Sequence, residues 1–294
     1  MDWLFEFPSM ERDMLRNLRR NVDSAFQSFA GNYGEAFETA LEPVRLFLIY
    51  FERLFLNSPW PLVIIGLAGL VYLASRRASL TFGTVAGLLL IGYFDLWEDS
   101  MRTLAMILTA TVTCIIIGIP IGILMAKSRR AQAIANPILD VMQTMPSFVY
   151  LIPVIMLFGI GKLPGLIAVI IYAIAPVIRL TNLGIRLVDK EVLEAADAFG
   201  SSRMKKLTNV QLPLALPTIM AGVNQTIMMA LAMVVVAALV GAPGLGQPVL
   251  KAINNQFFFM GISAGTAIVI IAIIIDRASQ SYGERLQTHR KKGH

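Results

Sequence analysis

Cysteine, histidine and charge are all scarce in this chain of 294 residues. Cys114 is its one cysteine, and its two histidines, His289 and His294, stand in a polar tail. A single thiol excludes a disulfide framework and a metal site built on several cysteines. We find no set of His or Asp residues that would form a catalytic constellation. The sequence therefore offers no catalytic or metal-binding residues, and we do not expect an enzyme.

Charged residues make up 15% of the chain and hydrophobic residues 56%, with a mean hydropathy of +0.68. Soluble domains carry about a quarter charged residues. The apolar residues form long runs such as 106–125 and 262–275, and runs of this kind are typical of bilayer-spanning segments. Because hydrocarbon offers the backbone no hydrogen-bond partners, such segments must be helical. The composition predicts an all-α integral membrane protein.

The apolar runs predict seven transmembrane helices. They cover residues 60–74, 80–94, 104–126, 138–158, 166–180, 214–240 and 262–275. An eighth apolar segment, 40–57, is interrupted by Arg45, Glu52 and Arg53. Charges are costly inside a bilayer, so we interpret this segment as an N-terminal interfacial helix, with a true span as the alternative.

Basic residues cluster in loops that fall on one side of seven spans. These loops are 76–77, 127–130 and 181–213, together with the tail after 276, whereas Asp95, Glu98 and Asp99 lie on the other side. The positive-inside rule then predicts a cytoplasmic C-terminus. The net charge of +6 is explained by topology and anionic lipid rather than by nucleic acid. Four arginines before residue 21 fit poorly with an outside N-terminus, and a span at 40–57 would remove that conflict.

The loop between the fifth and sixth spans contains DKEVLEAADAFGSSRMKKLTNVQLPLALP, residues 189–217. Asp189 suits a helix N-cap, Glu191 suits a first helical turn, and Gly200 suits a left-handed C-terminal position. Val192, Ala195, Ala196 and Phe199 share one stripe of the short helix between them. A helix this short needs a partner surface to be stable.

This loop resembles the signature of binding-protein-dependent ABC importer permeases. The signature is Glu-Ala-Ala, three residues, Gly, nine residues, an aliphatic residue, one residue and Leu-Pro. It is matched here by Glu194, Ala195, Ala196, Gly200, Val210, Leu212 and Pro213. Residues 140–161, 176–186 and 211–250 also look like the glycine betaine, proline betaine and choline permeases, and the similarity extends over roughly residues 60–280.

The resemblance implies a type I importer permease core in a bacterial inner or plasma membrane. Two copies of the permease pair in such importers, two cytoplasmic ATPases bind below them, and an external binding protein delivers the solute. The chain has no G-x-x-x-x-G-K-S/T loop, so we expect a partner to use the ATP and magnesium. No binding domain follows the last span, so we expect the binding protein to be a separate polypeptide.

By the same resemblance, residues 190–200 form a coupling helix that docks on the ATPase. The residues assigned to this coupling site are Glu191, Glu194, Ala195, Ala196, Asp197, Phe199, Gly200, Leu212 and Pro213. On the other side of the membrane, a turn and a loop are candidates for an outer gate or a binding-protein contact, with ordinary turns as the alternative. The residues of that second set are Lys162, Gly241, Pro243, Gly244 and Gly246.

The solute implied by the resemblance is a quaternary ammonium osmolyte, with trimethylamine oxide or an amino acid such as histidine as alternatives. The spans contain no clustered aromatic set that would form a cation–π cage, so we expect selectivity to lie in the binding protein. An ion-coupled secondary transporter is less favoured, because spans three to seven have no acidic residue near their centres. The chain divides into an N-terminal segment 1–58, two accessory helices 59–97, a permease core 98–280 and a basic tail 281–294.

Overall fold

The computed structural model describes residues 9–291, with the side chains of Tyr282 and of 284–291 excepted. The described residues form helices and short connections without strands. The twelve α-helices are α1 Arg12–Asn57, α2 Trp60–Ser75, α3 Ala78–Tyr93, α4 Trp97–Lys127, α5 Arg129–Thr144, α6 Leu151–Phe158, α7 Lys162–Arg186, α8 Lys190–Ala198, α9 Arg203–Lys206, α10 Leu212–Val236, α11 Gly246–Asn255 and α12 Phe258–Lys291. Most of the side chains of the predicted tail 281–294 lie outside the described residues.

Helices α4, α7 and α10 pack side by side and form the centre of the protein. Small residues allow their backbones to approach closely. A Cβ at Gly122 of α4 would lie 2.7 Å from the Ile178 carbonyl oxygen of α7, and one at Gly222 of α10 would lie 3.2 Å from the Pro176 carbonyl oxygen. Lipid provides no hydrophobic drive for helix association, so close packing of this kind holds the three helices together.

The remaining long helices surround this centre. α12 packs on α10, the α2–α3 hairpin packs on α12, and α1 crosses α4 and α6. The predicted accessory helices therefore sit beside the core, in contact with its last helix.

The predicted span 138–158 is not a single helix. α5 and the segment Ser147–Phe158 meet at 112°. Met145 lies just before Pro146 and has extended backbone angles, φ −71° and ψ 133°, because the proline ring disfavours a helical conformation in the residue that precedes it. The Tyr150 hydroxyl donates a hydrogen bond to the Met142 carbonyl oxygen beside the break. The predicted span therefore consists of two helical segments joined at a sharp bend.

Among the helices of residues 9–291, four are long and apolar enough to cross a membrane, or up to six if each bent pair is counted as one span. The sequence predicts seven. The difference lies partly in α2 and α3, which have 16 residues each. At about 1.5 Å per residue, each is about 24 Å long, shorter than the ~30 Å hydrocarbon core.

The predicted interfacial helix 40–57 is the second half of a longer helix. α1 has 46 residues, and it continues through Pro43 without a break. Its first half is mostly exposed, whereas Leu48, Glu52 and Phe55 are buried. These three share one face at helical spacing, and that face accounts for the packing of α1 on α4 and α6.

Candidate functional site

The short helix predicted between Asp189 and Gly200 is present as α8. The Asp189 carboxylate accepts a hydrogen bond from the Glu191 backbone N–H at 2.9 Å, which satisfies one of the free donors at the helix start. Gly200 has φ +74°, and the Ser201 N–H donates to the Ala196 carbonyl oxygen at 3.0 Å. A glycine in this left-handed position ends the helix with its last carbonyls paired.

No residue of α8 is buried. Phe199, which follows the helix, is 90% exposed, and Val192 and Ala195 of the predicted stripe are exposed as well. A helix this short is marginal alone, and Val192 and Phe199 are exposed together along it. The loop therefore presents a thin apolar face with a projecting phenyl ring.

A salt bridge joins α8 to the helix that follows it, α9. The Lys206 Nζ of α9 lies 2.6 Å from the Asp197 Oδ1 of α8. α9 continues through a π-helical segment, Leu207–Gln211, into α10. Pro213 has no backbone N–H to donate to the turn before it, which favours the wider winding at this point. A salt bridge and a continuous helical path therefore connect α8 to α10.

Leu212 begins α10, and Pro213 is its second residue. Beneath them, Leu207 is buried in a small apolar cluster with Ile185 of α7 and Ala215 of α10. The base of the loop is thus anchored in the α7–α10 contact, whereas its tip, α8, is free of the core.

Polar contacts also join the long helices. Arg179 of α7 forms an ion pair with Asp140 of α5. Asp276 of α12 accepts hydrogen bonds from the Asn224 side chain of α10, at 3.2 Å, and from Gln280, at 2.8 Å. Ionisable groups in membrane helices need such partners, and these two carboxylates help to fix how α5 and α12 sit on the core.

The second predicted set of residues lies in two connections that touch each other. The Gly161 N–H, in the turn between α6 and α7, donates to the Val240 carbonyl oxygen at 2.9 Å. Gly241 and Gly244 have φ +76° and +130°, conformations that favour glycine. The structure therefore brings the Lys162 turn and the 241–246 loop together at the end opposite α8. Lys162 and Gly241 are exposed there, whereas Gly244 and Gly246 are buried.

Pro243 lies within this loop, and Gly246 begins α11. The next residue, Gln247, donates its side-chain amide to the carbonyl oxygens of Ala238, at 3.0 Å, and Ala242, at 2.9 Å. The Leu245 N–H donates to the Thr103 Oγ1 of α4 at 2.8 Å. These bonds give the loop a defined shape against α4 rather than a solvated one.

Glu52 is a residue that the sequence analysis noted only as an interruption of an apolar run. It is 6% exposed, and its Oε2 lies 2.7 Å from the Lys162 Nζ. The available signal was the charge itself, since a carboxylate in such a run requires a partner. Its partner lies 110 positions away in the sequence, and no local pattern identifies it.

An aromatic set that the sequence did not reveal lines a cavity of about 460 Å³ between α2, α3 and the start of α4. Trp60, Tyr93 and Trp97 contribute the rings, and Ile64 and Leu88 contribute apolar walls. The side chains that line the cavity include no charged group. This cavity lies between the α2–α3 pair and the first residue of α4.

Comparison with known proteins shows which family this chain matches. Residues 118–285 match the family described as "Binding-protein-dependent transport system inner membrane component". The chain is 46% identical over 252 residues to the "Glycine betaine/proline betaine transport system permease protein ProW" of Escherichia coli (strain K12), which covers 86% of this chain and 71% of that protein. It is 47% identical over 235 residues to the "Glycine betaine/carnitine transport permease protein GbuB" of Listeria monocytogenes serotype 1/2a (strain 10403S), covering 79% and 83%.

Among solved structures, the chain resembles one titled "Inward facing conformations of the MetNI methionine ABC transporter", in its CY5 SeMet soak crystal form. The TM-score is 0.57 at 21% sequence identity, covering 63% of this chain and 92% of that one. This likeness shows the type I importer permease fold. Together with the family match over α4 to α12, it leads to one conclusion: the chain belongs to the family of binding-protein-dependent transport system inner membrane components.

Proposed function

We propose that the chain is the permease subunit of an ABC importer for a small quaternary ammonium solute of the glycine betaine type. The observation that carries the solute class is identity of 46% and 47% to two permeases named for glycine betaine, over most of each chain. As a member of this family the chain is a transport component rather than an enzyme. The family also implies partner ATPases that use ATP and a binding protein that delivers the solute.

The ATPase contact in this proposal is α8. Its apolar face of Val192, Ala195 and Phe199 is exposed, and Glu191 and Glu194 offer exposed carboxylates beside it. A groove that closes on so thin a helix would bury the phenyl ring and pair the carboxylates with basic groups. Closure of the ATPases would push α8, and the Asp197–Lys206 pair would carry the push into α10.

α10 and α7 then move as one body, because their backbones touch at Gly222 and packed interfaces switch between discrete arrangements rather than bend. This motion would give alternating access. At the other end, Lys162 and the loop with Gly241, Pro243, Gly244 and Gly246 form the outer gate or the binding-protein contact. Lys162 and Gly241 are exposed to such a partner, whereas Gly244 and Gly246 are buried beneath them.

The assembly in this proposal contains two copies of the permease and two ATPases. α5 exposes a stripe of apolar side chains at helical spacing, Ile134, Ile138 and Val141, which fits contact with a second copy. The C-terminus and α8 lie on the cytoplasmic side, where the basic loops fall. The permease core is 98–280, with 59–97 as accessory helices.

The solute assignment is tested by reconstituting the permease with its ATPase and binding protein and measuring ATP hydrolysis. The panel is glycine betaine, proline betaine, choline, trimethylamine oxide and histidine. We expect a quaternary ammonium compound to stimulate hydrolysis most. Stimulation by trimethylamine oxide or histidine alone would reject the solute class while keeping the importer. An ATPase that never binds the permease would reject both.

A further inference from the structure

Glu52 is a buried carboxylate on an otherwise apolar helix face. Leu48 and Phe55 lie beside it at helical spacing, and both are buried. An ionised carboxylate in such a place is costly unless it is paired. Its partner is the Lys162 Nζ, 2.7 Å away, at the first residue of α7. The pair also stabilises the charge of Lys162, because the dipole of a helix disfavours a cation at its N-terminus.

Stability alone does not explain this pair. A buried ion pair can be replaced by well-packed apolar residues at little or no cost, whereas loss of one partner is strongly destabilising. The rest of this α1 face already supplies apolar packing. The pair therefore makes the contact specific, because it holds Glu52 of α1 at one position against the α6–α7 turn.

The turn that Lys162 belongs to is itself tied to the 241–246 loop. The Gly161 N–H bonds to the Val240 carbonyl oxygen, and a Cβ on Gly241 would lie 2.6 Å from the Ile160 side chain. Any movement of the turn must therefore move the loop. Lys162 remains 48% exposed, so water can replace the contact on one side if the turn shifts, but Glu52 would then be left buried without its partner.

We propose that Glu52 is a positioning residue that tethers the N-terminal helix to the turn and loop at the end opposite α8. The tether holds this end in its resting arrangement until the binding protein delivers solute, and it thereby suppresses ATP hydrolysis without solute. The transport part of this inference rests on the proposed function. It assigns a role to α1, which lies outside the residues matched to the family.

The test compares Glu52→Gln, Lys162→Met and the charge-reversed double variant, Glu52→Lys with Lys162→Glu, in the reconstituted complex. Coupling free energies of this kind are typically worth about fivefold or more. We expect each single variant to lower the ratio of solute-stimulated to basal hydrolysis by at least about fivefold. The double variant should restore much of the ratio. Lys251→Met is the matched control, because it removes an exposed lysine of α11 near the same loop, and it should leave the ratio unchanged.

Hydrogen exchange in the wild type and in Glu52→Gln gives a readout that needs no solute. Amides of 159–162 and 240–245 should exchange faster in the variant, and those of α8 should not. Unchanged exchange and an unchanged ratio would overturn the tether. Loss of assembled complex in the single variants without rescue by the charge reversal would overturn it too, since the pair would then only pack. A wild type that responds to no solute would reject the proposed function, and the exchange measurement would still decide the tether.

Discussion

Replacing Phe199 with aspartate is expected to abolish ATPase binding and solute-stimulated hydrolysis while the permease still inserts and folds. The side chain is 90% exposed, so its burial contributes nothing to the stability of the folded permease. Burial of a phenylalanine side chain in a partner is worth about 1.5–3 kcal/mol, and a buried, unpaired carboxylate adds a further penalty. A loss of about 2 kcal/mol per site weakens binding roughly thirtyfold, and two copies would compound the loss. The measurement is the amount of ATPase that co-purifies with the permease.

Phe199→Leu is the matched variant at the same position. It keeps an apolar side chain, and it should retain most of the binding. The two variants should have the same thermal unfolding midpoint as the wild type. Normal ATPase binding by Phe199→Asp would contradict the assignment of α8 as the docking helix.

Gly122→Ala is expected to destabilise the permease by ~1–3 kcal/mol, the usual cost of overpacking a close contact. Its Cβ would lie 2.6 Å from the Thr181 Cβ and 2.7 Å from the Ile178 carbonyl oxygen. A backbone oxygen cannot rotate away as the end of a side chain can. α4 and α7 would therefore have to separate along their length. The change is measured as a lower thermal unfolding midpoint and a lower yield of folded protein in detergent.

Gly69→Ala is the control for this prediction. Gly69 also lies inside an apolar helix, α2, but a Cβ there would meet nothing within 4 Å. Helix propensity favours alanine over glycine by up to about 1 kcal/mol, so this variant should be as stable as the wild type or slightly more stable. Equal stability of the two variants would show that α4 and α7 are not packed as closely at Gly122 as a 2.7 Å Cβ-to-oxygen distance requires.

The short helix between Asp189 and Gly200 was predictable because its signals are local. Asp189 caps the helix through a backbone bond two residues away, and Gly200 ends it through its own φ angle. Both effects are properties of a few neighbouring residues. Long apolar runs predicted α4, α7 and α12 for the same reason, since a spanning helix satisfies its backbone within itself.

The features that the sequence did not predict depend on contacts between residues that are distant in the sequence. The break near Pro146 could be suspected from the proline, but many membrane helices continue through one, as α4 does through Pro120. Glu52 and Lys162 form an ion pair across 110 positions of the sequence. Trp60 and Trp97 line one cavity only because three helices converge there.

The most direct test of the central claim is a single-cysteine cross-link at position 195. Cys114 is buried and Ala195 is exposed, so Ala195→Cys supplies a uniquely accessible thiol on α8. With a short thiol-reactive cross-linker in the assembled importer, we expect this position to link to the ATPase and a matched Lys251→Cys on α11 to fail to do so. An ATPase that co-purifies but links at 251 and not at 195 would contradict the proposal that α8 couples ATP hydrolysis to transport.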